Sequence, residues 1–227
     1  MTTSVVCIHT MPHLIETFNL LGAEILPGVQ FLHVLDEVML KRVRKNGGAD
    51  TREIEWLKFQ VENAVEIQAS AVLVTCTILS ACVDEIRPAV HIPMIKIDEV
   101  LVERAVEIGE KIGVIVTNPD TLEPSTQLVL EHAAAVGKQM RVEPRVVDVA
   151  FDAVRNGDMQ THDRLVRQAI NDLAPNVDVI ILAQASMARV LDVEGGLDCP
   201  VPILSSPYLA LEQLKSVLQE ASSNTSR

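Results

Sequence analysis

The sequence lacks the features that mark membrane, secreted and nucleic-acid-binding proteins. No uninterrupted apolar run approaches the ~18 residues of a membrane span, and no basic segment precedes the short apolar run near the N-terminus. Basic residues are scarce, with a net charge of -12, and the one basic cluster, at residues 41–45, is typical of a solvated helix end. We therefore expect no signal peptide, no membrane partner and no nucleic-acid partner.

The sequence also lacks the common motifs for cofactors and metals. Its ten glycines form neither GxGxxG nor GxxxxGKS/T, and HExxH is absent. His9, His13 and His33 are interpreted as structural histidines, because their positions do not predict a metal cluster. We therefore expect no cofactor and no metal, so that any catalysis depends on protein side chains alone.

The cysteines show neither CxxC nor zinc-finger spacing. They are Cys7, Cys76, Cys82 and Cys199. In a chain of this length without a secretion signal, such cysteines are expected to be reduced thiols in the cytoplasm. Cys7 and Cys82 fall inside a predicted strand and a predicted helix, so both are interpreted as structural.

Short runs of β-branched residues alternate with amphipathic helical stretches. The predicted strands cover residues 4–9, 29–34, 71–75, 94–97, 111–116, 142–147, 177–183 and 202–204. Most are apolar along their whole length, as are parallel strands that helices cover on both faces. Residues 53–69 predict a helix with one broad apolar stripe, formed by Ile54, Leu57, Val61, Ala64, Val65 and Ile67. The predicted fold class is α/β with parallel sheets flanked by helices.

Four pairs of short segments recur in the same order along the chain at nearly constant spacing. The pairs are 71–80 with 179–188, 10–12 with 117–119, 92–93 with 201–202, and more loosely 34–36 with 146–148. Such self-similarity predicts an internal duplication. We expect two pseudo-symmetric lobes, residues 1–97 and residues 98–206. The C-terminal segment 207–227, with a helix at 208–220, is expected to pack on the first lobe.

The duplicated positions at the strand ends are candidates for a binding site. They are Thr10 and Thr117, Cys76 and Gln184, and Lys96 and Ser205. Ligands of parallel α/β sheets bind beyond the carboxyl ends of the strands. If the two lobes face each other, these positions meet in one cleft. Lys96 interrupts an apolar strand and is interpreted as a buried acid–base group or, in preference, as a lysine that extends to solvent.

Cys76 is the strongest candidate for a reactive side chain. It follows the apolar strand AVLV and precedes a helical stretch, and a thiol at a helix N-terminus has a lowered pKa. The alternative is a small buried hydrophobic residue, the common state of a free cysteine. Thr77 either binds a substrate oxygen or caps the helix, and Thr10, Thr117 and Asn118 allow the same two interpretations.

Four segments of the chain resemble the Asp/Glu racemase superfamily. They are VTCTILS around Cys76, IGVIVTNPDTLEPS at residues 112–125, LAQASMARV around Gln184, and VPILSSPYLAL near the C-terminus. The superfamily includes glutamate, aspartate and hydantoin racemases, maleate isomerase and arylmalonate decarboxylase. The resemblance covers nearly the whole chain, and it implies two pseudo-symmetric lobes, no cofactor, and one cysteine from each lobe on either side of the reacting carbon.

The resemblance also implies roles by position. Cys76 corresponds to the catalytic cysteine of the first lobe, where it acts as acid and base. The positions implied for substrate binding are Thr10, Thr77, Thr117, Asn118, Ala185 and Ser186. A small carboxylic acid is the implied substrate, and a homodimer or another homo-oligomer is the implied assembly.

Gln184 departs from the family's pattern, because the racemases have their second cysteine at this position. An amide accepts no proton at neutral pH, although it can hydrogen-bond to a substrate and orient it. The leading hypothesis is an isomerase or racemase-like enzyme in which Cys76 transfers a proton alpha to a carboxylate. The alternatives are a decarboxylase of malonate-type acids that uses the same thiol, and a non-catalytic protein that binds a small acid.

Overall fold

The computed structural model describes residues 3–191 and 197–225. The chain divides into two compact units: unit 1 comprises Met1–Glu99 with Pro207–Arg227, and unit 2 comprises Val100–Ser206. Each unit contains a parallel sheet of four strands flanked by helices, so the predicted α/β fold class is confirmed.

Unit 1 is built around four strands in the order β2-β1-β3-β4. The strands are β1 (Ser4–His9), β2 (Gln30–Leu35), β3 (Ala71–Val74) and β4 (Met94–Lys96). The helices are α1 (His13–Ile25), α2 (Glu37–Asn46), α3 (Thr51–Glu66) and α4 (Ser80–Ile86). A short 3-10 helix, Thr77–Leu79, joins β3 to α4.

Unit 2 repeats the same arrangement, with the strand order β6-β5-β7-β8. The strands are β5 (Lys111–Val116), β6 (Arg141–Val146), β7 (Val179–Leu182) and β8 (Ile203–Ser205). The helices are α5 (Glu99–Ile108), α6 (Leu122–Ala135), α7 (Asp148–Arg155) and α8 (Met159–Leu173), and the closing helix of the chain is α9 (Ser206–Thr225). The register repeats as well, since Val74 pairs with Lys96 in unit 1 and Leu182 pairs with Ser205 in unit 2.

The burial of the strands follows from their order in each sheet. The central strands β1, β3, β5 and β7 are buried almost throughout, because helices cover both faces of a parallel sheet. Of the four edge strands, β2, β6 and β8 are partly exposed, whereas the short β4 is buried. All eight predicted strands are present, each within two residues of its predicted bounds, because the continuous apolar runs identify buried parallel strands.

Helix α3 shows how local sequence sets the start of an element. Asp50 accepts a hydrogen bond from the backbone N–H of Arg52, and the Glu53 carboxylate accepts one from the N–H of Asp50 at 3.0 Å, which closes a capping box. The predicted apolar stripe is only partly correct. Leu57, Val61 and Ala64 are buried, but Val65 is 51% exposed, and Ile67, which lies beyond the last helical residue, is 54% exposed.

Among the described residues, no helix combines the length and the apolar character that crossing a membrane requires.

Candidate active site

The predicted site residues fall into two groups, one in each unit. Unit 1 contains Cys76, Thr10 and Thr77, and unit 2 contains Gln184, Thr117, Asn118, Ala185 and Ser186. All of them lie just beyond the carboxyl ends of the central strands.

Cys76 lies two residues beyond β3, in an extended conformation, and precedes the short 3-10 helix Thr77–Leu79. The residue is buried, with 9% of its surface exposed. Its sulfur receives hydrogen bonds from the hydroxyl of Thr10 and from the backbone N–H groups of Ile78 and Leu79. The predicted placement of Cys76 at a strand end is confirmed, and its sulfur is surrounded by donors that stabilise a thiolate.

The expectation that the Cys76 thiol has a lowered pKa is wrong. Burial raises the pKa of Cys76 more than the hydrogen bonds from Thr10, Ile78 and Leu79 lower it, and the negative charge of Asp98 raises it further. The short helix that follows Cys76 contributes only two N–H groups. Their lowering effect on the thiol pKa is smaller than the raising effect of the desolvation of the sulfur. Cys76 is therefore a neutral thiol at neutral pH.

Asp98 is a candidate site residue that the sequence analysis missed. Its side chain is buried, and burial raises the pKa of its carboxyl group, while hydrogen bonds from Thr77 and Ser80 and the positive charge of Lys96 lower it. The Ser80 hydroxyl lies 3.3 Å from the nearer carboxylate oxygen. The Thr77 side chain thus hydrogen-bonds to Asp98 and does not cap the short helix, whose N-cap is Cys76, while its contact with a substrate stays a prediction.

Lys96 is buried and paired, so the preferred interpretation that it extends to solvent is wrong. Its Nζ donates to both carboxylate oxygens of Asp84, at 2.9 Å and 3.0 Å, and lies 3.8 Å from Glu99. Glu99 also accepts two hydrogen bonds of 2.9 Å from Arg87. These ion pairs satisfy the ammonium group at the end of β4.

A chain of hydrogen bonds links Thr75, the residue after β3, to His9 and His33. The Thr75 hydroxyl donates to the carbonyl of Ile8 at 3.0 Å, so it accepts the Nδ1–H of His9 at 2.8 Å. The Nε2 of His9 is hydrogen-bonded to the Nδ1 of His33 at 2.9 Å, and the Nε2 of His33 to the Oδ1 of Asn19 at 3.0 Å. Burial, followed by the charges of His33 and His13, lowers the pKa of His9 to about 4, so His9 is neutral at neutral pH.

The expectation that the histidines do not cluster is wrong for His9 and His33. Because β1 and β2 pair in parallel with Cys7 opposite His33, the ligand atoms of Cys7, His9 and His33 lie within 4.8 Å of one another. Thiolate and imidazole are ligands that can hold a metal ion such as Zn²⁺. In this structure the two imidazoles are hydrogen-bonded to each other, and burial holds the pKa of the Cys7 thiol far above its ordinary value.

In unit 2, the side chain of Gln184 is held by the residues that follow β5. Its Oε1 accepts hydrogen bonds from the backbone N–H of Thr117, from the Thr117 hydroxyl at 2.9 Å, and from the backbone N–H of Asn118 at 3.0 Å. The structure thus brings together three of the predicted site residues. The Oε1 of Gln184 therefore occupies donors of Thr117 and Asn118, residues that the resemblance implied for binding a substrate carboxylate.

The remaining residues of this group start short 3-10 helices. The Asn118 side chain accepts a hydrogen bond from the N–H of Asp120 at 3.3 Å and caps the helix Pro119–Thr121, so the capping interpretation is confirmed for Asn118. Ala185 and Ser186 open the helix Ala185–Leu191 and are half-buried.

Several solved structures with the same fold are racemases. A glutamate racemase from Bacillus anthracis has a TM-score of 0.68 at 20% identity, covering 96% of this chain and 82% of that chain. An allantoin racemase from Klebsiella pneumoniae has a TM-score of 0.69 at 16% identity, covering 96% and 89%. An aspartate racemase from Picrophilus torridus has a TM-score of 0.70 at 13% identity, covering 95% and 94%. At these identities the likeness is one of fold alone.

The comparison with curated proteins finds no match. The model of the Asp/Glu/Hydantoin racemase family matches residues 32–214, which is well over half of the chain and includes Cys76 and Gln184. The chain therefore belongs to the Asp/Glu/Hydantoin racemase family and is a racemase- or isomerase-type enzyme.

Proposed function

We propose that this chain is a cofactor-independent isomerase or racemase-like enzyme in which Cys76 transfers a proton at the carbon alpha to a carboxylate. The substrate is a small acid or amino acid. The observation that carries the proposal is the set of donors around the sulfur, from Thr10, Ile78 and Leu79. A purely structural thiol needs no such donors, whereas a thiolate that forms during proton transfer is stabilised by them.

The protonation state of Cys76 sets the direction of the pH dependence. Because the pKa of its thiol is raised, most of the enzyme holds a neutral thiol at neutral pH. As a base, Cys76 has to lose its proton before it takes one from the substrate carbon, so proton abstraction becomes faster as the pH rises. The substrate proton then moves to sulfur, and the electron pair of the carbon–hydrogen bond delocalises into the carboxylate, which becomes an enediolate.

The presence of Gln184 favours proton transfer by one group on one face of the substrate carbon over a two-base racemisation. A side-chain amide neither accepts nor donates a proton to carbon at neutral pH, and the Oε1 of Gln184 is already hydrogen-bonded three times. A single thiol can remove a proton and return it to the same face, as in an isomerisation. Inversion of configuration requires a proton donor other than Gln184 on the opposite face.

The test is hydrogen exchange between substrate and solvent in D₂O, followed by proton NMR. The first candidates are aspartate, glutamate, hydantoins and allantoin, since the similar solved structures are racemases of aspartate, glutamate and allantoin. We expect at least one of them, or a related small acid, to lose its Cα–H signal. Cys76→Ala should slow this exchange by about a hundredfold or more. An active substrate that exchanges at an unchanged rate in Cys76→Ala would exclude the proposal.

Cys82→Ala is the matched control. Cys82 is also a buried thiol of unit 1 and belongs to the same hydrophobic core cluster as Cys76, but it lies inside α4. We expect Cys82→Ala to keep the exchange activity, so that a loss confined to Cys76→Ala is a loss of chemistry and not of one buried sulfur.

A decarboxylase of malonate-type acids is the second candidate function. The raised pKa of Cys76 favours it, because a thiol that is neutral at neutral pH is a ready proton donor to the enolate left after carbon dioxide departs. Carbon dioxide release from substituted malonates, lost in Cys76→Ala, would identify this activity. Tight binding of an unaltered small acid without exchange or release would instead identify a binding protein.

A further inference from the structure

We infer that Gln184 is an amide donor locked in one orientation, and that its Nε2 group binds a carboxylate oxygen of the ligand. The inference concerns a binding site in unit 2. It rests on the proposed function only for the class of ligand, a small carboxylate, and not for the reaction.

The orientation of the Gln184 amide follows from its partners. The groups around Oε1 are two backbone N–H groups, of Thr117 and Asn118, and the Thr117 hydroxyl. A backbone N–H can only donate, so the reversed amide would place its NH₂ group against two donors. Oε1 therefore faces Thr117 and Asn118, and Nε2 faces away from them.

The two N–H groups of Nε2 have no partner among the described residues. Gln184 as a whole is only partly buried, so part of its surface is open to a ligand. The N–H groups of an amide whose oxygen accepts hydrogen bonds are polarised and donate more strongly. A donor pair of this kind, fixed before the ligand arrives, loses little rotamer entropy on binding.

The ligand class follows from the polarity of the site. Nε2 offers donors and no acceptor, so it selects a ligand with acceptor oxygens, and a carboxylate gives the strongest hydrogen bonds of this type. The cradle that holds Oε1 has more donors than a neutral amide oxygen has lone pairs, so it would accept an anionic oxygen at least as well. This excess makes a charge-changing substitution informative.

The decisive substitution is Gln184→Glu. One oxygen of the new carboxylate can take the place of Oε1 in the cradle, so the fold keeps its three hydrogen bonds. The other oxygen replaces the donor Nε2 with a negative acceptor. We expect the thermal midpoint to stay equal or rise, and the affinity for a carboxylate to fall by about tenfold to a hundredfold. Gln184→Met, which removes both functions, should lower both the midpoint and the affinity.

A second pair of variants tests the locking of the amide. Thr117→Val removes the hydroxyl that donates to Oε1 and keeps the backbone N–H groups. The amide then has more freedom, and we expect a loss of affinity of several-fold. Thr117→Ser restores the hydroxyl and should restore the affinity, which a merely structural role of the threonine methyl group would not do.

The probe is malonate, titrated into ¹⁵N-labelled protein, with acetamide as the neutral control. In the parent protein we expect malonate to shift the side-chain NH₂ signals of Gln184 saturably. These signals are identified by their absence from Gln184→Glu. Binding of malonate to Gln184→Glu with the parent affinity would overturn the inference. So would unmoved NH₂ signals at saturation, or malonate that displaces Gln184 and binds the N–H groups of Thr117 and Asn118.

The same titration separates this inference from the proposed function. If malonate binding depends on Gln184 but Cys76 exchanges no substrate proton, the binding site in unit 2 is supported and the proposed reaction is contradicted. If proton exchange depends on Cys76 but the Gln184 amide does not respond to malonate, the proposed reaction is supported and the binding site in unit 2 is contradicted.

Discussion

The hydroxyl of Thr10 hydrogen-bonds to the sulfur of Cys76, although the two residues follow different strands. The contact is a consequence of strand register. Ile8 of β1 pairs with Val74 of β3, and each of the two residues lies two positions beyond its member of this pair. Because the strands are parallel and adjacent, residues that lie equally far beyond a pair of opposite residues meet at the same edge of the sheet.

Removing the Thr10 hydroxyl should make the Cys76 thiolate harder to form. Thr10→Val deletes one of the hydrogen bonds that lower the pKa of Cys76, so we expect this pKa to rise further. Alkylation of Cys76 by iodoacetamide at pH 8 should slow by about fivefold, the equivalent of one hydrogen bond of about 1 kcal/mol. The rate is measured by mass spectrometry of the Cys76 peptide. Thr10→Ser keeps the hydroxyl, and a rate as slow as in Thr10→Val would contradict this explanation.

Neutralising Asp98 should have the opposite effect. The charge of Asp98 raises the pKa of Cys76, so Asp98→Asn should lower it and speed the alkylation of Cys76 at a given pH. Asparagine retains an oxygen that can accept the hydrogen bonds of Thr77 and Ser80. Glu24→Gln is the control, because it removes the same charge at an exposed position of α1. Equal alkylation rates in the parent and in Asp98→Asn would show that Asp98 has no electrostatic effect on the thiol.

Breaking the hydrogen-bond chain at Thr75 should destabilise the folded chain. Thr75→Val deprives the buried Nδ1–H of His9 of its acceptor, because the Thr75 hydroxyl links His9 to the carbonyl of Ile8. We expect the free energy of unfolding in urea to fall by about 1–3 kcal/mol. In the control Thr17→Val, an exposed hydroxyl that donates to the carbonyl of His13 is lost, and the change should stay within about 0.5 kcal/mol. If the two variants lose the same free energy of unfolding, the hydrogen-bond chain through Thr75 does not stabilise the fold.

The stability of the fold should decrease in mild acid because of His9. Its pKa is lowered to about 4 in the folded chain, from about 6.5 in the unfolded chain. Below pH 6.5 the unfolded chain binds the proton first, so the stabilising contribution is complete above pH 6.5 and is lost as the pH falls towards 4. Urea unfolding at pH 7 and at pH 5 measures the loss. His9→Gln should flatten this dependence, and His91→Gln, at an exposed position, controls for the removal of an imidazole.

The sequence predicts the strands well and the electrostatics of the site poorly. Buried parallel strands are continuous apolar runs, so β1, β3, β5 and β7 can be read directly, and polar residues that end them are candidates for a site. The sign of the pKa shift of Cys76 depends on how much protein covers the sulfur. That burial is produced by packing between distant segments, which periodicity does not describe.

Contacts across strands were missed for the same reason. Nothing in the spacing of Cys7, His9 and His33 indicates that His33 lies opposite Cys7, because the register of two parallel strands is set by their packing. Asp98 lies two residues beyond β4, and in the sequence it only marks the start of the predicted second lobe. The orientation of the Gln184 amide likewise depends on Thr117 and Asn118, which are 67 and 66 residues away.

The repeated strand order β2-β1-β3-β4 and β6-β5-β7-β8 has an evolutionary consequence. After duplication, two copies of one scaffold can diverge independently while each keeps its core. At the equivalent strand-end positions the first copy has a thiol and an amine, of Cys76 and Lys96, and the second has an amide and a hydroxyl, of Gln184 and Ser205. Under the functions proposed above, one half supplies the proton chemistry and the other the recognition of the ligand.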